Sequence, residues 1–179
     1  MNLQPAQLQS DRILLRPLQL DDFDGLFTVA SDPLVWEQHP NKNRYEIEVF
    51  TKLFEEAIES KGAFVIIDQK TKEIAGSSRY YDFKPEKSEI AIGYTFIARK
   101  YWATNFNRNL KNLMLNYAFQ YVDSVLFHVG ETNFRSQKAV EKLGAIKIGE
   151  VIGEFLPNGL PKISFEYKLA KDIWRKCTF

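Results

Sequence analysis

With one cysteine, Cys177, in 179 residues, the chain can form no internal disulfide and offers no C-x-x-C pair for zinc or redox work. Such usage points to a reducing, cytoplasmic setting. Net charge is nearly absent as well: 24 Lys+Arg against 23 Asp+Glu leave +1, so no global field favours nucleic acid or an anionic membrane as partner. No apolar run approaches membrane-spanning length, and MNLQPAQLQSDR lacks the basic start and apolar run of a secretory signal. The phosphate-loop pattern G-x-x-x-x-G-K-[ST] does not occur, which removes that class of nucleotide-binding protein. Repeats, low-complexity tracts and Gly/Ser/Pro-rich linkers are missing too, so one domain over 1–179 is expected, long enough to bury a core without staples.

What is present reads as a mixed α/β unit. Arg12 to Leu18 is a short apolar strand that Pro17 suits to an edge. In LDDFDGLFTVASDP the acids Asp21 and Asp22 suit a helix start, Leu20, Phe23, Leu26, Phe27 and Ala30 keep helical spacing, and Asp32-Pro33 ends the run. Between Tyr45 and Ser60 an apolar stripe of Ile47, Phe50, Leu53, Phe54, Ala57 and Ile58 predicts an amphipathic helix, closed by Gly62. AFVIID, IAGSSRYYDF and EIAIGYTFI then form a meander with hairpin-length connections, an antiparallel sheet. A helix follows from about Phe106 to Tyr121 with Leu110, Leu113, Met114, Tyr117 and Ala118 on its buried side. Next come the strand SVLFHVG, the helix FRSQKAVEKL, and a strand pair turning at Asn158-Gly159.

Between Ser88 and Gly144 the order is strand, compact loop, helix, strand, helix. It aims two helix N-termini, each with unsatisfied N–H groups, at one crevice suited to a phosphate-bearing ligand. Arg99 and Lys100 open the loop, and the second helix begins on Asn133-Phe134-Arg135-Ser136.

Three features, DRILLRPL with DDFDGLF, the IGYTF…RKYW run into the loop, and ETNFRSQKAVEKLGA, resemble the GNAT superfamily of acyl-CoA-dependent N-acyltransferases. The branch that includes the ribosomal-protein N-terminal acetyltransferases is the nearest in pattern, and the match covers nearly the entire chain. The resemblance implies a mostly antiparallel sheet of about seven strands, helices on both faces, and a splayed strand pair holding acyl-CoA. It assigns cofactor contacts to Phe96, Ile97, Ala98, Lys100, Ala103, Thr104, Asn105, Phe106, Asn133, Arg135 and Ser136. Where the family's loop has two glycines, this chain has Ala103 and Asn105. Alanine adds only a methyl, and asparagine enters the left-handed region readily, so the loop can keep its shape.

Acyl transfer from a thioester to an amine needs a deprotonated amine, a donor at the carbonyl oxygen and a proton for the thiolate; it requires no metal. By resemblance, backbone N–H groups from Tyr94 to Ile97 polarise the carbonyl, and Ser136 is the candidate proton donor, with Tyr81 and Tyr94 as alternatives. Glu89, on the strand face of Ala91 and Gly93, is the candidate base if a desolvated groove raises its pKa; a solvated surface glutamate is the competing reading. Trp36, His39, Tyr81 and Tyr94 are candidates for the acceptor pocket, with Arg44 near the first pair. His128, alone in an apolar strand, reads as packed and hydrogen-bonded more than catalytic. Two functions stay open: an N-acetyltransferase using acetyl-CoA on a protein N-terminus or a small amine, as monomer or homodimer, and a non-catalytic acyl-CoA-binding module with a degenerate loop.

Overall fold

A computed structural model describes residues 1–155 and 161–177. The Asn158-Gly159 turn lies outside them. Eight strands form one sheet: β1 (Leu8–Gln9), β2 (Ile13–Pro17), β3 (Ala63–Asp68), β4 (Ile74–Lys84), β5 (Glu89–Ile97), β6 (Ser124–Gly130), β7 (Ile146–Phe155) and β8 (Pro161–Ala170). Their spatial order is β1-β2-β3-β4-β5-β6-β8-β7. Every neighbouring pair is antiparallel except β5 and β6. That parallel pair needs a crossover, and α3 (Phe106–Ala118) supplies it.

The remaining helices are α1 (Phe23–Ala30), α2 (Ile47–Glu59), α4 (Phe134–Glu141) and α5 (Lys171–Cys177). Strand alternation sends apolar side chains to both faces of the sheet, and each face carries a core. On one, Leu26, Phe50 and Phe54 of α1 and α2 pack on Ala63, Val65 and Phe96. On the other, Leu110, Met114 and Leu115 of α3 pack on Phe64, Tyr80, Ile90 and Ile92. The Tyr80 hydroxyl, buried in that layer, donates to the Met114 carbonyl at 2.5 Å and ties the sheet to α3. No helix among the described residues is long and apolar enough to cross a membrane.

Several expectations change in detail. The sheet has eight strands rather than about seven, because two residues, Leu8 and Gln9, pair with Leu15 and Leu14 at its edge. Leu20 is exposed, since Leu20–Asp22 form a 3-10 turn whose phase differs from that of α1. Ile47 likewise lies exposed at the first turn of α2. The charged Lys111 of α3 is buried as well. Beyond α2 the left-handed residue is Lys61, with φ 50°, and not Gly62. Gly62 answers a different need: a Cβ there would lie 2.2 Å from the Tyr80 carbonyl oxygen.

Candidate active site

The crevice begins where β5 and β6 part. They pair only through Glu89–Ser124, Ile90–Val125 and Ala91–Leu126, yet β5 runs on to Ile97 and β6 to Gly130. From Ile92 onward the β6 side of β5 is an open backbone edge. A bulge shapes the same stretch: Arg79 faces Gly93 and Ser77 faces Phe96, so β5 carries one extra residue, and Tyr94 takes φ 51°. An extended chain bearing amides could pair with such an edge, as the pantetheine arm of coenzyme A would.

The loop after β5 holds a 3-10 turn at Arg99–Tyr101 and then bends into α3. Ala103 adopts φ 56°, the left-handed conformation that glycine enters most cheaply. Asn105 does not need it, resting at φ −76° and ψ 2°. Among the described residues, no acceptor takes the N–H groups of Ala103, Thr104 or Asn105, while the Thr104 hydroxyl accepts from the Phe106 N–H at 3.1 Å. Consecutive free N–H groups at a helix start are a setting in which backbone can bind an anion. Two backbone groups here are already engaged: the Ala98 N–H bonds the Ala75 carbonyl at 2.8 Å, and the Trp102 indole donates to the Ile97 carbonyl at 3.2 Å. Lys100 is exposed and paired with Glu73 at 2.5 Å. The rings of Phe96 and Phe106 are both core, against Trp36 at 5.1 Å and Tyr101 at 4.1 Å, so only their backbones can meet a ligand. A cavity of about 420 Å³ adjoins the loop on its β3 side, lined by Arg12, Asp68, Lys100 and Thr104; its cations are already paired, Arg12 with Asp68 and Lys100 with Glu73.

Across the crevice, Asn133 caps α4, its side chain accepting from the Ser136 N–H at 3.2 Å. The Arg135 N–H is held by Gln38 at 3.0 Å, and its guanidinium stacks 3.7 Å from the Trp102 ring centre, joining the two rims. Asn133, Arg135 and Ser136 are therefore gathered beside the loop's Trp102.

On the α1/α2 face the parted strands carry a chain of hydrogen bonds. The Tyr81 hydroxyl lies 2.7 Å from His128 Nδ1, and His128 Nε2 lies 2.9 Å from Glu166 of β8. Because a carboxylate only accepts, Nε2 donates to Glu166; in the neutral imidazole Nδ1 is then the acceptor that faces the Tyr81 hydroxyl. Burial pushes the Tyr81 hydroxyl well above its usual pKa. To reach His128, Tyr81 crosses β5 directly over Gly93, where a Cβ would sit 2.9 Å from its ring. Tyr81 also meets Tyr94 edge-on at 5.3 Å.

The same face receives the segment between α1 and α2. Trp36 donates to the Ala30 carbonyl at 2.7 Å and touches His39 edge-on at 5.7 Å. His39 Nε2 sits 3.1 Å from Arg44, whose guanidinium lies 5.5 Å from the Trp36 ring centre. Burial, reinforced by the Arg44 charge, pushes the His39 imidazole down to about 3, so it is neutral and accepts from Arg44. Arg79 of β4, which sequence reading missed, covers the Tyr94 ring at 4.1 Å. Trp36 and His39 thus come together, as do Tyr81 and Tyr94.

Glu89 stands apart. It lies in the closed part of the strand pair, bonded to Lys168 at 2.5 Å and Ser124 at 3.2 Å. The Lys168 hydrogen bond outweighs desolvation and holds its carboxyl below the usual range. A raised pKa suited to a base is the opposite of what this environment produces. Missing from the expectations were Glu166, Arg79 and Lys111; Arg79 shares its strand with Ser77, Ser78, Asp82 and Lys84, so no local contrast marked it.

The acetyltransferase (GNAT) domain family matches residues 12–146, and the chain belongs to that family. It is similar to the uncharacterized N-acetyltransferase YoaA of Bacillus subtilis (strain 168), 24% identical over 176 residues that cover 92% of this chain and 96% of YoaA. Its fold matches a GCN5-related N-acetyltransferase from Brucella melitensis with TM-score 0.82 at 17% identity, over 96% and 83% of the two chains. It also matches a spermidine N-acetyltransferase from Vibrio cholerae, solved with CoA and spermine, with TM-score 0.71 at 18% identity over 93% and 99%. A ribosomal-protein-S5-alanine acetyltransferase from Vibrio fischeri aligns with TM-score 0.69 at 18% identity over 95% and 99%. The protein is an N-acetyltransferase that uses an acyl-CoA co-substrate.

Proposed function

We propose that this enzyme transfers acetyl from acetyl-CoA to a primary amine by direct attack within a ternary complex. What carries the proposal is the parting of β5 from β6 after Ala91, with Tyr81, His128 and Glu166 hydrogen-bonded in series over the gap. Acetyl-CoA supplies a thioester whose carbonyl carbon accepts the amine nitrogen as the carbon–sulfur bond breaks. The free N–H groups of Ala103, Thr104 and Asn105 hold the pyrophosphate, and the open edge of β5 holds the arm. Backbone N–H groups around the Tyr94 bulge donate to the carbonyl oxygen as it gains charge. Tyr81 takes the amine proton while passing its own to His128 Nδ1, and Glu166 stabilises the resulting imidazolium. Ser136, whose hydroxyl is not used in capping, gives its proton to the thiolate and takes one back from water, while the imidazolium loses its extra proton to solvent.

Thiol release from acetyl-CoA, measured over a panel of peptides, amino acids and polyamines, tests the activity. His128→Gln is expected to lower kcat about 100-fold with little change in acetyl-CoA affinity. Absence of amine-dependent thiol release over the whole panel would overturn the proposal.

A further inference from the structure

Among the described residues, two guanidiniums beside the proposed acceptor position have no carboxylate partner. Arg79 is only 6% exposed, and its Nε is sealed from solvent without a hydrogen-bond partner. Its remaining nitrogens make no hydrogen bond or ion pair with any described residue, and the guanidinium lies against the exposed Tyr94 ring. Arg44 gives one hydrogen bond to His39 and is otherwise unpaired among the described residues. The two repel each other. Among the described acids, Glu56 acts only at a distance and lies exposed on α2, while Glu166 is committed to His128. Burying unpaired cations is costly, and leaving these two guanidiniums beside one opening makes sense where a ligand brings the missing anion.

We infer that the acceptor amine carries a carboxylate, which Arg79 and Arg44 bind while its amino group lies at Tyr81. The inference rests on the proposed transfer reaction. It favours a free amino acid, or a peptide with an acidic side chain beside its N-terminus, over a polyamine, which the same charges repel.

Matched pairs supply the test: glutamate against its diamide, glycine against glycinamide, peptides beginning Asp-Ala against Asn-Ala, and spermidine as the cationic control. Thiol release should give a kcat/KM about 100-fold higher for the carboxylate member of a preferred pair, because a site built for hydrogen bonding penalises the analogue that leaves it unpaired. The amino-acid and peptide arms distinguish the two sources of the carboxylate. Arg79→Met and Arg44→Met should abolish the preference, and Arg79→Lys should restore part of it. Calorimetry on the CoA-loaded enzyme with N-acetylglutamate and its diamide reads the same subsite without turnover. Carboxylate-selective binding that Arg79→Met abolishes, with no turnover of any amine, would uphold the anion subsite and sink the transferase proposal. Equal kcat/KM within every pair and no carboxylate-selective binding, or a preference for spermidine, would overturn the inference.

Discussion

Lys111 Nζ donates to the Thr95 hydroxyl at 2.7 Å, and Thr95 lies one residue beyond the Tyr94 bulge. Ser78 completes the cluster, its Oγ 3.4 Å from the amine and 2.8 Å from Thr95 Oγ1. No carboxylate reaches this buried lysine among the described residues, and desolvation pushes its amine from 10.5 down to about 7. Across that window the unfolded chain binds the extra proton, so stability should rise as pH increases from about 7 toward 10.5, by at most about 1.4 kcal/mol per pH unit. Below that window the full desolvation cost persists. Lys111→Met should stabilise the fold at pH 6 to 7 by on the order of 2 kcal/mol and flatten the pH dependence, with Thr95 and Ser78 still bonded to each other. Urea denaturation at several pH values reads both effects; a less stable variant at pH 6 would count against the burial cost.

Ala103 carries a left-handed φ of 56° with no glycine to relax it. Ala103→Gly removes a Cβ penalty of about 1–2 kcal/mol and adds unfolded-state entropy of about 0.5–1 kcal/mol, for a net gain near 0.5–1 kcal/mol. Thermal unfolding should move up by a few degrees. Calorimetry should give an unchanged or tighter CoA Kd, since the loop's backbone shape is kept. A lower melting temperature would mean that the methyl packs favourably.

Glu89 is an ion-pair partner in the closed part of the strands, so Glu89→Gln should act on stability and not on turnover. Its folded pKa is depressed; the stabilisation is present above the unfolded value of 4.5 and is lost as pH falls through the folded one. The variant should lose roughly 1 kcal/mol at pH 7 and converge with the parent in acid. kcat at saturating substrates should stay within about twofold. A large fall in kcat with normal stability would return Glu89 to the chemistry.

Much of the fold was legible because burial imposes its period on sequence. AFVIID, EIAIGYTFI and SVLFHVG are β3, β5 and β6 residue for residue. β1 escaped because two residues show no period, and α5 because a seven-residue helix with only Trp174 buried among its described side chains gives no stripe. Trp36, His39, Tyr81 and Tyr94, chosen by residue type and location, lie in contact as two pairs on one face of the sheet. Glu166 was not foreseen, since it joins His128 from 38 residues away through strand pairing that no local pattern records. The two loop positions were read by residue preference, yet Ala103 and not Asn105 takes the left-handed conformation. Tertiary contacts overrode propensity there, as they did for Lys111, whose charge gave no hint that α3 buries it.

Gly93 lets Tyr81 cross β5, which makes it a sensitive probe of the proton path. An added Cβ would stand 2.9 Å from Cε1 and 3.1 Å from the hydroxyl oxygen of Tyr81, closer than a side chain tolerates. The β5 backbone is fixed by pairing with β4 through Ile92 and Ala91, so the ring is the part that must move. Displacing it by a few tenths of an ångström stretches the 2.7 Å contact with His128. Gly93→Ala should therefore lower kcat about tenfold while leaving acetyl-CoA affinity within about twofold. Combining it with Tyr81→Phe, which removes the hydroxyl but keeps the ring, should add little to the loss from Tyr81→Phe alone. Full additivity of the two losses in kcat would show that Gly93 acts by another route.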